Sequence, residues 1–217
     1  MCGIVGYVGN EAPQGIIIEG LKKLEYRGYD SAGIAVLNDG KIKLRKHVGA
    51  IVNLEKLIGQ ENLGGHVGIG HTRWATHGAP SDVNSHPHMS NDNRIALVHN
   101  GTIENYVEIR TELEKEGFTF KSDTDSEVAA VLFGKYYNEL GDLKATMDKV
   151  THEMTGTFAL AAIAEDQPEK FVAYRKNAPL IVGKGNGCNF VASDFSALLK
   201  YTKDVYLLET GDTVILT

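Results

Sequence analysis

Gly33-Ile34-Ala35-Val36-Leu37-Asn38-Asp39-Gly40-Lys41-Ile42-Lys43-Leu44-Arg45-Lys46-His47-Val48 is the stretch whose reading decides the fold class. Two apolar-alternating segments flank Asn38-Asp39-Gly40. Asp-Gly supplies the positive φ angles that a tight hairpin turn needs, so Gly33–Leu37 and Ile42–Val48 read as neighbouring antiparallel strands. Further segments of the same kind are Gly3–Gly9, Gly68–Arg73, Ile95–His99 and Thr157–Ala164, with five more between Lys170 and Leu216. Thr210-Gly211-Asp212 is a second turn signal near the end.

Three segments carry the helical period instead. Gln14–Glu25 places Ile16, Ile17, Leu21 and Leu24 on one side. Ile103–Glu116 repeats apolar residues at Ile103, Val107, Ile109 and Leu113, and Gly117 stops it. Asp125–Leu140 opens on Thr124-x-x-Glu127, a capping-box pattern. A fourth helix is expected over Leu143–Met154 and a short one from Phe195 to Tyr201. Strands and helices are grouped rather than strictly alternating, which favours an α+β fold of antiparallel sheets covered by helices over a doubly wound parallel sheet.

Composition narrows the function classes. The 217 residues suffice for one large domain, and neither a linker nor an internal repeat divides them, so residues 1–217 read as a single domain. A formal net charge of −6 argues against a nucleic-acid surface, which would show a basic patch. The longest apolar run, Phe158 to Ala164, is far short of the roughly 18–20 residues of a membrane span, and the first residues lack a signal-peptide pattern. The chain reads as cytoplasmic. Its two cysteines are too few for a disulfide framework; Cys188 reads as a buried structural thiol.

Cys2 is different. Methionine is usually trimmed before a small second residue, which would leave Cys2 with both a thiol and a free α-amine. Their ordinary pKa values, about 8.5 and about 7.7–8.0, are close enough for easy proton exchange near neutral pH. A Cys-Gly start could equally begin a buried strand, so the reading needs support from elsewhere. His71-Thr72-Arg73-Trp74-Ala75-Thr76-His77-Gly78 leaves a strand into a loop crowded with ligand-type side chains. Arg73 offers a planar fork for a carboxylate. In His99-Asn100-Gly101 an amide beside an unhindered backbone N–H suits an oxyanion hole, although Asn-Gly is also a common turn pair. The acidic run from Ser122 to Glu127 favours a helix start and could also bind an ammonium. A zinc site among the five histidines from His71 to His99 is the rival chemistry. Proline in His86-Pro87-His88 suggests an extended loop, and no H-E-x-x-H pair is present.

Taken together, Cys2-Gly3-Ile4-Val5-Gly6, Tyr26-Arg27-Gly28-Tyr29-Asp30-Ser31-Ala32-Gly33, His71 to Gly78, His99-Asn100-Gly101 and Thr124-Asp125 resemble the glutaminase domain of the glutamine–fructose-6-phosphate aminotransferases, a branch of the class II amidotransferases. The resemblance runs from Cys2 to about Gly211. It implies an N-terminal-nucleophile hydrolase fold, a four-layer αββα sandwich with two antiparallel sheets. It implies that Cys2 attacks the side-chain amide of L-glutamine and that its own amine takes the thiol proton, through a water. Asn100 and the Gly101 N–H would hold the oxyanion, Arg73 the substrate α-carboxylate and Asp125 its α-ammonium. Thr76 and His77 would complete the pocket, Trp74 would belong to a loop that closes over glutamine, and Arg27 would play a supporting part. No metal or cofactor is implied. The implied partners are the sugar-isomerase domains of a longer, homo-oligomeric enzyme, where the ammonia aminates fructose-6-phosphate. A non-catalytic glutamine-sensing module is the alternative from another class.

Overall fold

The computed structural model describes residues 2–74 and 78–217. The hairpin forms as its turn chemistry requires, with φ of 51° at Asp39 and 69° at Gly40. It joins β2 (Ser31–Asn38) to β3 (Lys41–Val48), paired antiparallel from Ser31↔Val48 to Asn38↔Lys41. The same sheet contains β1 (Gly3–Gly9), β4 (Val67–Arg73), β9 (Ile181–Lys184), β10 (Cys188–Ala192) and β11 (Val205–Leu207). Its order is β11-β9-β10-β1-β4-β2-β3. A second sheet runs β12-β8-β7-β6-β5, from β5 (His88–Met89), β6 (Ile95–Ile103), β7 (Gly156–Ala164), β8 (Phe171–Lys176) and β12 (Thr213–Leu216).

Helices cover the outer faces. α1 (Pro13–Leu24) and α2 (Ile51–Ile58) lie on the first sheet, while α3 (Tyr106–Lys115), α4 (Asp125–Leu140) and α5 (Leu143–Glu153) enclose the second. Ile17 of α1 sits where a Cβ on Gly68 or Gly70 would stand, so glycine lets the helix come close to β4. Burying such a side chain contributes about 1.5–3 kcal/mol. Between the sheets Ile4, Val8, Ile69, Ala96, Val98, Ala159, Ala161 and Ala173 form an alanine-rich core. The α+β expectation and the four layers are both present.

The sequence reading departs from the structure in several places. Ile103 ends β6 instead of starting a helix, because the ladder with β7 continues to Ile103↔Gly156. α3 therefore begins at Tyr106, and Val107 is exposed. α2 carried no expectation, although Ile51, Leu54 and Ile58 occupy one helical face. Phe195–Tyr201 yields only a 3-10 turn, Phe195–Ala197. Cys188 is half-buried rather than buried, packed at the margin of the core under α1.

Strand parity places the site. Ile4 and Val8 of β1 face the other sheet, whereas Val5 and Tyr7 face α1. Side chains alternate along a strand, so Cys2, just before β1, falls on the inner side. On β4, Val67 and Ile69 point inward and bring His71 and Arg73 with them. On β6, Ala96 and Val98 do the same for Asn100, while Leu97 and His99 turn toward α4. Cys2, His71, Arg73 and Asn100 thus converge at one end of the sandwich, from two sheets.

Candidate active site

The Cys2 sulfur is bracketed by backbone. The Trp74 N–H donates to Sγ at 3.2 Å, and the thiol donates to the Trp74 carbonyl at 3.5 Å. Burial pushes the thiol pKa up, and the Asp30 carboxylate adds to this. The Trp74 hydrogen bond, the amino terminus and the Arg73 guanidinium act in the opposite direction. The resting sulfur therefore holds its proton at neutral pH.

Across the gap between the sheets, Asn100 Nδ2 donates to the Cys2 carbonyl at 3.2 Å. His71 Nε2 lies 2.9 Å from both Asn100 Oδ1 and the His99 carbonyl. Both neighbours are acceptors, so Nε2 carries the proton. Gly101, at φ 115°, could not be another residue, because a Cβ there would collide with the Thr157 carbonyl.

Asp125 is the first residue of α4. Its Oδ2 accepts from the Ile103 N–H at 3.0 Å, and Ser126 Oγ approaches Oδ1 at 3.4 Å. The capping box forms only in part. Thr124 Oγ1 accepts from the Glu127 N–H as expected, but the Glu127 carboxylate reaches past Thr124 to the N–H groups of Lys121 and Ser122. Arg73, almost fully buried, donates through Nη2 to the Gly78 carbonyl at 2.8 Å.

Cys2, Arg73, Trp74, Gly101 and Asp125 line one cleft, together with His86, His99, Thr124 and Ser126. Its free volume is about 20 Å³, about one water and far below a usual ligand pocket. A larger cleft of about 720 Å³ lies beside α1, but among its lining residues Lys22, Lys23, Ser196, Lys200 and Tyr201 supply neither thiol nor imidazole. We place the chemistry in the small cleft, since volume alone supplies no nucleophile. Arg27 is not among the residues lining it. It donates to the Ser193 carbonyl at 3.0 Å and faces Asp194 in a separate groove. Thr76 and His77 lie outside the described residues.

Sequence reasoning missed the support behind this cleft. His71, His86, His88 and His99 are all buried. His71 stacks on His86 with ring centroids 4.0 Å apart, and His86 meets His88 edge-on. His99 Nδ1 contacts Ser126 Oγ at 2.8 Å and His88 Nε2 contacts Thr124 Oγ1 at 3.1 Å, so two imidazoles brace the start of α4. Burial pushes His71 down to about 3 and lowers His86 and His88 well below the usual imidazole range, with mutual repulsion adding to it. Lys46 ties down the turn that carries His86, donating to the carbonyls of Ser85, Val83 and Pro87, and burial lowers its own pKa to about 8. Gly33 lets that turn lie on β2, since a Cβ there would collide with the His86 carbonyl. Pleat parity was the available signal for His71. Among the described residues no three His, Cys, Asp or Glu side chains are arranged to hold a metal ion. No helix among them is long and apolar enough to cross a membrane.

Comparison with known proteins identifies the family. Over 217 residues the chain is 55% identical to a glutamine–fructose-6-phosphate aminotransferase (isomerizing) of Clostridium perfringens, covering all of this chain and 35% of that one. The protein of the same name from Caldanaerobacter subterraneus is 52% identical over 216 residues, again with 35% of its length covered. The chain thus spans about a third of the length of the curated relatives it matches. Among solved structures, the glutamine phosphoribosylpyrophosphate amidotransferase from B. subtilis superposes with a TM-score of 0.84 at 27% identity, covering 99% of this chain and 47% of that one. The expected N-terminal-nucleophile hydrolase architecture is therefore present. Residues 71–200 match the family model described as a glutamine amidotransferase domain, and the chain belongs to that family.

Proposed function

We propose that this chain hydrolyses L-glutamine to glutamate and ammonia through a thioester on Cys2. One observation carries the reading. Cys2 and Asn100, 98 positions apart, meet across two sheets with the amide donating to the Cys2 carbonyl.

Removal of Met1 places a free amine on the same residue as the thiol. The amine takes the thiol proton, through a water, as Sγ attacks the side-chain carbonyl carbon. The oxyanion receives the second Asn100 N–H and the Gly101 N–H. Collapse of the tetrahedral intermediate expels ammonia, which leaves with the proton held by the amine. Water then attacks the thioester, one of its protons passes through the amine to sulfur, and glutamate departs. These steps use protein groups and water, with no cofactor. Arg73 grips the α-carboxylate and Asp125 the α-ammonium, opposite charges at the two ends of a short site. Thr76 and His77 take part in glutamine binding, Trp74 covers the substrate, and Arg27 has a supporting role.

The names of the relatives and the third of their length that is matched support a wider role. In it residues 1–217 act as the single glutaminase domain of a longer, homo-oligomeric cytoplasmic enzyme. Sugar-isomerase domains in that enzyme use the ammonia to convert fructose-6-phosphate to glucosamine-6-phosphate.

Replacing Cys2 by Ala tests the core of the reading. Glutamate release is expected to vanish while calorimetry still detects glutamine binding; undiminished turnover would end the proposal. Intact mass after treatment with a diazo-ketone analogue of glutamine should show loss of Met1 and one adduct on Cys2.

A further inference from the structure

We infer that His71 is a positioning residue, which sets the orientation of the Asn100 amide and so decides that a donor rather than an acceptor faces Cys2. The inference rests on the oxyanion role proposed for Asn100.

The two ends of an asparagine amide are nearly equal in shape but opposite in function, one a double donor and the other an acceptor. Flipped, Asn100 would turn its oxygen toward the Cys2 carbonyl and the developing oxyanion, with two negative ends in contact. Something must hold the productive orientation while the charge on the substrate changes. His71 Nε2 lies 2.9 Å from Asn100 Oδ1. Alone, that contact would decide nothing, because a neutral imidazole can move its proton to Nδ1 and accept from a flipped amide. The His99 carbonyl closes that escape. It also lies 2.9 Å from Nε2, and a backbone oxygen can only accept.

The order of determination runs from the backbone outward. The β6 ladder fixes the His99 carbonyl, the carbonyl keeps the proton on Nε2, and Nε2–H selects Oδ1 of Asn100. The NH₂ end is then aimed at Cys2. His71 Nδ1 has no hydrogen-bond partner among the described residues, so it supplies no competing reason for the tautomer. Stacking on His86 holds the ring plane. His71 itself touches neither the sulfur nor the substrate in this scheme; it acts through Asn100.

The experiment is a double-mutant cycle on glutamine hydrolysis by the processed chain, with His71→Leu, His71→Gln, Asn100→Ala and the double variants. Gln can present an amide N–H near the place of Nε2; Leu cannot. His71→Leu is expected to lower kcat by about 10- to 100-fold with KM changed less than about threefold, a partial loss of one oxyanion donor. His71→Gln should recover most of that loss. In the Asn100→Ala background His71→Leu should have no further effect. Affinity for glutamate γ-semialdehyde, whose adduct with Cys2 carries the oxyanion, should fall with kcat while affinity for glutamate stays level. Equal losses in Leu and Gln, a Leu effect that persists without Asn100, or a parallel loss of glutamate affinity would each overturn the inference. An Asn100→Ala variant with full kcat would instead overturn the oxyanion assignment on which it rests.

Discussion

On one wall of the cleft, Cys2 and Asn100 sit at the inner faces of two sheets, joined by a hydrogen bond and backed by His71. On the opposite wall, Arg73 and Trp74 stand where β4 ends, and Arg73 donates to the Gly78 carbonyl beyond the strand. The first wall cannot shift without breaking β1, β4 or β6. The cleft leaves about 20 Å³ free. We assign bond-making to the first, rigid wall and substrate recognition to the second, and each prediction below tests that division.

The largest effect is expected on the rigid wall. Asn100→Ala removes an oxyanion donor, and kcat should fall by about 10²–10³, roughly 3–4 kcal/mol, with KM little changed. Steady-state glutamate release measures both parameters. A rise in KM at constant kcat would move Asn100 to the recognition wall and erase the contrast.

The complementary change is Arg73→Lys. Lysine keeps the charge but loses the fork that grips a carboxylate at two points. One charge-assisted hydrogen bond corresponds to about 1.5–3 kcal/mol, so KM should rise about 10- to 100-fold while kcat holds. A kcat loss as deep as that of Asn100→Ala would mean that Arg73 orders the chemistry as well as the ligand.

The two walls also differed in how far they could be read in advance. The Asp39-Gly40 hairpin, α1, α4 and the grouping of strands were legible because local turn chemistry and period decide them. Cys2, Asn100, Gly101, Arg73 and Asp125 were legible as chemical types; the fold lines one cleft with Cys2, Gly101, Arg73 and Asp125 and bonds Asn100 to Cys2. The histidine cluster was not. His71, His86, His88 and His99 look in sequence like ligands for a metal, and only the register of β4, β5 and β6 turns them into a buried brace. Ile103 went to a helix because its apolar neighbours fit that period, yet the ladder with β7 outweighs propensity there.

That brace predicts a pH dependence. An exposed imidazole titrates near about 6.5 in the unfolded chain, whereas buried His71 is held down to about 3. Between those values the unfolded state binds more protons, so its share of stability is complete above about pH 6.5 and declines as pH falls. The slope approaches about 1.4 kcal/mol per pH unit for one such group. His86 and His88 act in the same direction. Ordinary carboxylates titrate lower, so thermal unfolding between about pH 6.5 and 5.5 isolates the histidines. The melting temperature should fall across that interval and by less in His71→Gln. A flat profile would mean that the rigid wall is not built on neutral buried rings.

The smallest effect is expected from Trp74→Ala, and it separates backbone from side chain on the second wall. The Trp74 N–H and carbonyl hold the Cys2 sulfur, and neither changes with the side chain. Trp74 is 57% exposed and its ring rests against Gly28, where an added Cβ would press into it. Losing a surface ring should alter stability by no more than about 0.5 kcal/mol, a shift of roughly 1–2 °C in the melting temperature for a chain of this size. Hydrolysis should keep its kcat within a few-fold while KM rises, because only the cover over glutamine is lost. A large fall in kcat would show that the ring, through Gly28, holds the backbone on which Cys2 depends. The first wall would then extend to Trp74.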